Sequence, residues 1–323
     1  MKGKNLVCFD FGVKTSKLVR VHKGEVTKRV SFPTPLSVIN DGSVVDVEKL
    51  AVDIKRIMKE HKIKAKNMAV ALDSSTTIVR NFELPYLQPE EIRPALELQM
   101  SETLQNILQS HVMSYRVFRS DLDKIQGVVA LAPTDVVMSY MELAALLGLT
   151  LEIVDVTPNC TAKYYNQFIM DELNVKNAVI VDVGYHAVHA DLVVGDILTF
   201  TRRLQGGVHA IDQVIVEKYA VDLKEAERIR LGKSDEITLT EDEYKSVVRL
   251  GCLALDDLVR QTLDYFKYNN QNSKIDAFIL HGNGIRMKAI QEFFDVSYGQ
   301  RVHIVESENL GYVNAIGSAI RED

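Results

Sequence analysis

The chain has 323 residues, of which 46% are apolar and 25% charged, and a formal net charge of −6. This length exceeds what a single core usually organises, so two domains or one duplicated architecture is expected, in an ordinary globular composition. The acidic balance argues against nucleic acid as the main partner, since phosphate backbones are held by basic faces. Cys8, Cys160 and Cys252 are far apart and odd in number, which gives neither a disulfide framework nor a zinc site and fits a reducing cytoplasm.

The start Met1-Lys2-Gly3-Lys4-Asn5 is basic, but Asp10 interrupts the apolar run that follows too early for a signal-peptide core, and no stretch approaches membrane-spanning length. Leu6–Phe9 delivers Asp10, Gly12 follows two residues later, and the hydroxyl-bearing Thr15-Ser16 leads into a second apolar run, Leu18–Val21. This reads as strand, tight turn and returning strand. Such a turn can be a phosphate clamp, with Gly12 admitting close backbone approach, Thr15 and Ser16 donating, and Asp10 reaching an accompanying cation. The alternative is an ordinary hairpin with a turn glycine.

Glu25–Phe32 is a third strand, ended by Pro33 and Pro35. Leu50, Ala51, Ile54, Ile57 and Met58 recur at helical spacing, which predicts an amphipathic helix over Val47–His61. Strands at Met68–Leu72 and Thr76–Leu84 complete a β-β-β-α-β-β order. An insert is expected over 86–156: a helix from Gln88-Pro89-Glu90-Glu91 to Gln105 carrying Ile92, Leu96 and Met100, strands His111–Arg119 and Gln126–Ala132, a helix Asp135–Leu147 stopped by Gly148, and a strand Thr150–Val156.

After a helix from Pro158 to Leu173, Ala178–Val181 enters Asp182-Val183-Gly184, and strands Ala187–Val194 and Ile197–Arg203 form a second meander. The opening Asp-x-Gly has recurred about half the chain later, as a duplicated α/β architecture requires. Gly206-Gly207 precede a helix to Tyr219, Val221–Gly232 is helical, and Glu241–Tyr268 reads as one long helix. A strand Ile275–Leu280 runs into His281-Gly282-Asn283-Gly284 and a helix Ile285–Phe294, a glycine turn suited to an anion or an adenine-ribose group. Strand Arg301–Val305 and a helix Leu310–Ile320 close the chain, with Gly311, Ala315 and Ser318 marking close packing. His186 and His189 sit three apart on a strand, point to opposite faces, and do not make a shared metal site.

The ordered set Asp10-x-Gly12 with Lys17, Asp182-x-Gly184, Gly206-Gly207, Ala226-Glu227-x-x-Arg230 and Leu280-x-Gly282-x-Gly284 resembles the actin, heat-shock-70 and sugar-kinase superfamily. Asn81-Phe82-Glu83-Leu84-Pro85 with Glu90-Glu91, Ala132-Pro133-Thr134, Leu147-Gly148-Leu149 and Val154-Asp155-Val156 narrow the likeness to the PilM family of type IV pilus assembly proteins and, more distantly, to FtsA. The resemblance implies a duplicated, ribonuclease-H-like actin fold: a first half over 1–85, the FtsA/PilM-type insert over 86–156 as the docking module, and a second domain over 157–323 whose helix at 310–320 packs back towards the first.

It further implies ATP or ADP between the halves, with little or no hydrolysis, and a groove by the insert for the cytoplasmic N-terminal tail of a PilN-like membrane protein. A pilus motor ATPase or platform protein is a further candidate partner, and the chain would be cytoplasmic and recruited to the inner membrane face. Asp10, Gly12, Thr15, Ser16 and Lys17 match the first phosphate loop, and Asp182 and Gly184 the second, with Gly206 and Gly207 in the same set. Glu227 and Arg230 match the ribose and adenine pair, and Gly282, Asn283 and Gly284 the adenosine loop. Asp10 and Asp182 would hold Mg²⁺ through waters. The chain departs from relatives at Tyr185-His186-Ala187, at Gly-Asn-Gly, and at Leu98–Glu102. A sugar-type kinase and a filament-forming division or segregation protein are the competing readings.

Overall fold

The computed structural model describes residues 5–104, 107–270, 273–299, 302–304 and 308–321, in two compact units. The expected helix end at Gln105 and strand bounds at Arg301 and Val305 lie outside the described residues.

The first unit comprises 5–169, 196–200 and 312–321 of the described chain. It opens with β1 (Asn5–Asp10), β2 (Thr15–His22) and β3 (Glu25–Pro33), a meander in which Asp10 faces Lys17 across the β1–β2 ladder. Short strands β4 (Ile39–Asn40) and β5 (Ser43–Val44) lead to α1 (Val47–Glu60). Asp46 caps α1 by accepting from the Lys49 N–H, which satisfies one of the first-turn donors. The predicted stripe Leu50, Ala51, Ile54 and Ile57 is buried. β6 (Asn67–Leu72) then pairs in parallel with β1.

β7 (Ile78–Pro85), α2 (Pro89–Leu104), β8 (His111–Ser120) and β9 (Lys124–Pro133) follow. The three strands form their own sheet in the order β7-β9-β8. Ile92, Leu96 and Met100 of α2 pack with Phe82, Ile125, Val129 and Leu131 in a core separate from that of the main sheet. α3 (Thr134–Leu147) ends on Gly148 in the left-handed conformation, and β10 (Thr150–Val156) runs parallel to β6, followed by α4 (Thr157–Phe168).

The structure therefore redraws the insert. Its sheet begins with β7, which the sequence suggested was part of the main body, and β10 belongs to the main sheet, not to the insert. α3 is also main-body: Val136, Tyr140, Leu143 and Ala144 share a core with α1. The main sheet order is β10-β6-β1-β2-β3.

The second unit comprises 170–195 and 201–311 of the described chain, so α4, expected in the second domain, belongs to the first unit. β11 (Asn177–Val183), β12 (Ala187–Val194) and β13 (Ile197–Gln205) form the second meander. α5 (Val208–Tyr219), α6 (Leu223–Arg230), α7 (Glu241–Gly251) and α8 (Leu253–Asn269) lead to β14 (Ala277–His281), a 3-10 turn at Asn283–Arg286, α9 (Lys288–Tyr298) and β15 (Val302–Ile304). The sheet order β13-β12-β11-β14-β15 repeats the first sheet strand for strand.

The single helix predicted over Glu241–Tyr268 is two helices. Gly251 lies against Ile211 of α5 so closely that a Cβ would stand 2.7 Å from its Cγ1, and Cys252 leaves helical geometry at φ −94°, ψ 0°. Close helix packing at a glycine, followed by one non-helical residue, breaks the run. Last, α10 (Val313–Ser318) packs on α4, β1 and β6 in the first unit, where a side chain at Gly317 would run into the Cys160 carbonyl.

Candidate functional site

In the first unit the candidate residues gather where β1 turns into β2. Asp10 ends β1 and is nearly buried, and Lys17 Nζ donates to its Oδ2 at 3.1 Å. Gly12 makes the turn possible, because a Cβ there would stand 2.6 Å from the Thr15 carbonyl oxygen. The turn is braced from the end of β3: the Thr34 N–H donates to the Lys14 carbonyl at 3.1 Å and the Thr34 hydroxyl to the Gly12 carbonyl at 2.5 Å. Ser16, expected as a phosphate donor, is wholly buried and bonded to Thr34 Oγ1 at 2.8 Å. It supports the brace, and Thr15 is the half-buried hydroxyl of the turn. Thr34 was not singled out by its sequence, because a threonine after a proline carries no local signal of a contact 22 residues back.

The second unit builds the same turn by different means. Gly184 again sits where a Cβ would be 2.6 Å from a carbonyl three residues on, that of Ala187. Here the brace is main chain. The N–H groups of Gly206, Val208 and His209 donate to the carbonyls of His186, Gly184 and Tyr185 at 2.8, 3.1 and 2.9 Å. Gly207, at φ +56°, permits this approach, as any side chain would meet the Gly184 carbonyl. The paired glycines thus join α5 to the turn, and the first N–H groups of α5 are engaged by the chain itself, unavailable to an anion.

Asp182 is buried at the end of β11 with a histidine opposite it on each neighbouring strand: His189 on β12 and His281 on β14. Directly opposed residues share a sheet face. His189 thus occupies the place that Lys17 holds beside Asp10, and His281 Nδ1 lies 3.9 Å from Asp182 Oδ1. This row was not legible locally, since His281 is 99 positions from Asp182 in the chain. Among the described residues no group of three or more His, Cys, Asp or Glu is arranged to hold a metal ion.

The Gly282 loop closes onto the same turn. Gly282 has φ +88°, and a side chain there would run into Asp182 Oδ1 and stand 2.6 Å from the Val183 carbonyl oxygen. A Cβ on Gly284 would be 2.6 Å from Val183 Cγ1, while Asn283 is exposed and close to Gly311. Arg230 is held by two carboxylates. Its Nε donates to Asp212 Oδ1 at 2.5 Å, its side chain is 8% exposed, and Glu227 is 3.8 Å away. Asp212, wholly buried, also accepts from the Tyr185 hydroxyl at 2.8 Å. Burial and this bond push the Tyr185 phenol well above its usual range, so it remains a donor. Tyr185, His186 and His209 rings cluster at 4.7 to 5.7 Å between centroids.

Taken by itself, the first turn offers a hydroxyl, an ammonium and a carboxylate, groups of the kind that phosphate and a hydrated cation take, with Ser16 in a supporting place. In the second unit Asp182 and the Gly282 loop stand together, with Gly207 and Arg230 in supporting places.

A family model described as type IV pilus assembly protein PilM matches residues 9–315. Among solved structures, the chain is similar to the PilM-PilN type IV pilus biogenesis complex, with a TM-score of 0.82 and 19% identity over 97% of this chain and 96% of that one. It is also similar to the ethanolamine utilization protein EutJ from Carboxydothermus hydrogenoformans (TM-score 0.57, 15% identity, 97% and 88% covered). A third likeness is to MreB5 of Spiroplasma citri bound to ADP (TM-score 0.55, 12% identity, 98% and 95% covered). No curated protein matches the chain. The fold is accordingly actin-like, mixed α/β in two units.

Proposed function

Because the chain belongs to the family of type IV pilus assembly protein PilM, we propose that it is a nucleotide-binding scaffold of the pilus machinery that docks the cytoplasmic N-terminal tail of a PilN-like inner-membrane protein. The observation that carries the nucleotide half of this reading is the repeated Asp-x-Gly turn, built with the same glycine-to-carbonyl approach of 2.6 Å in each unit. The residues proposed to meet ATP or ADP are Asp10, Gly12, Thr15 and Lys17 in the first unit and Asp182, Gly184, Glu227 and Gly282–Gly284 in the second. Asp10 and Asp182 are each proposed as a carboxylate that a hydrated Mg²⁺ accompanying the phosphates would meet through water.

The insert, β7 to β9 with α2, is the proposed docking module, and its partner would bring the chain to the inner membrane face. No helix among the described residues is long and apolar enough to cross a membrane. A ligand preferring one arrangement of a protein biases everything linked to that arrangement, so nucleotide would tune peptide affinity. The test is calorimetric titration of the purified protein with ATP, ADP and a peptide of the partner's tail. Binding of nucleotide with negligible phosphate release, and peptide binding that changes with nucleotide, is expected. Fast turnover stimulated by a sugar or alcohol, or a peptide that never binds, overturns the respective half.

A further inference from the structure

Resting on the nucleotide reading above, we propose that Asp212 is a positioning residue that ties the Asp182-x-Gly184 turn to the Glu227–Arg230 pair, making the two ends of the second unit's site respond together. Asp212 is 0% exposed, and a buried carboxylate persists only where its charge is compensated and its lone pairs are filled. Arg230 of α6 donates to both Asp212 oxygens, Nε to Oδ1 at 2.5 Å and Nη2 to Oδ2 at 3.5 Å, and Oδ2 also accepts from the hydroxyl of Tyr185, the residue next to Gly184, at 2.8 Å. Arg230 in turn reaches beyond α6. Its Nη2 lies 3.8 Å from Glu227 and its Nη1 4.0 Å from Met287 Sδ, at the exit of the Gly282 loop.

One carboxylate therefore bridges the turn after β11, the pair on α6 and, through the rigid guanidinium plane, the loop after β14. A guanidinium holds a planar fork that cannot shift at one nitrogen without moving the others, so displacement at either end is passed through Asp212. Tyr185, at one of the places where the chain departs from relatives, supplies the turn's hydroxyl to this bridge. Losing the Tyr185 hydroxyl leaves the Asp212–Arg230 pair charge-compensated but no longer bonded to the turn, whereas losing the Asp212 charge leaves the nearly buried Arg230 without its main carboxylate.

The test is titration of the full-length protein with ATP and ADP for wild type, Tyr185→Phe, Asp212→Asn and the double variant, with thermal melting of each. Tyr185→Phe keeps the ring and removes the hydroxyl that bonds Asp212; it is expected to weaken ATP binding about tenfold, within the range of mutations along a coupled network. Asp212→Asn should cost at least as much, and the double variant no more than Asp212→Asn alone, because both remove one connection. Additive losses, or a lowered melting temperature with unchanged affinity in Tyr185→Phe, overturn the bridge and leave nucleotide binding standing. If Asp212→Asn does not fold, Tyr185→Phe decides alone. A wild type that binds neither ATP nor ADP overturns the nucleotide reading itself, and the coupling with it.

Discussion

Lys17 Nζ lies 3.1 Å from Asp10 Oδ2, with the two side chains only 17% and 12% exposed, across the ladder that leads into the first turn. In the repeated turn of the second unit, His189 stands in the position of Lys17 opposite Asp182. The duplicated acids thus keep different company: a fixed cation in one unit, an imidazole in the other. Removing the ammonium by Lys17→Met leaves the nearly buried Asp10 without it, at an expected cost of about 1–3 kcal/mol. Urea unfolding of Lys17→Met, Asp10→Asn and the double variant checks this. The double variant should recover part of the loss; full additivity would mean that the pair contributes nothing.

Gly282 and Gly232 have similarly positive φ, +88° and +65°, but only Gly282 is crowded, by Asp182 Oδ1 and the Val183 carbonyl. Gly282→Ala is expected to destabilise by about 3 kcal/mol or more, strain and collision together, and Gly232→Ala by about 1 kcal/mol, the left-handed backbone alone. Equal midpoints in chemical denaturation would contradict the close approach of the loop to Asp182.

Leu96 is fully buried in the insert's own core, beside Phe82 and Leu131. Leu96→Ala should cost about 2–5 kcal/mol of local stability through the lost contacts and residual cavity. Because that core is separate from the main-sheet core, amide exchange should quicken in β7, β8 and β9 while β1 and β6 keep their protection. On the docking proposal, the same variant loses peptide affinity and keeps ATP affinity.

Burial pushes the thiols of Cys8 and Cys252 up from 9.0 to about 12, while an unfolded chain would ionise them near the ordinary value. A folded pKa above the unfolded one gives stability that is present below pH 9 and declines between pH 9 and 12. Melting temperature should therefore fall through this window, less steeply in Cys8→Ala. At pH 8 the native protein should resist iodoacetamide at both sites, as followed by mass spectrometry; rapid labelling would show that these thiols are not buried in solution.

Much of this chain is written in local signals. Apolar runs entering Asp10 and Asp182, glycines two residues on, and the periodic stripe of α1 each act within a few residues, so the turns and their duplication were readable. The insert's helix and hairpin were equally clear from Pro89, the buried stripe of α2 and the turn at Ser120–Lys124. Its limits were not: β7 and β10 have similar apolar content, and only their partners, β9 and β6, assign one to the insert and the other to the main sheet.

By itself, then, the sequence determined the element types, the two Asp-x-Gly turns and the glycines that let them form, because backbone conformation and hydrophobic period are properties of neighbours in the chain. Tertiary structure decided which residues serve those turns. Thr34 braces Gly12, His189 and His281 flank Asp182, and Asp212 pairs with Arg230, whose side chain is held nearly buried. Strand partnership and the compensation of a buried charge are settled by groups far apart in sequence, and no local pattern carries them.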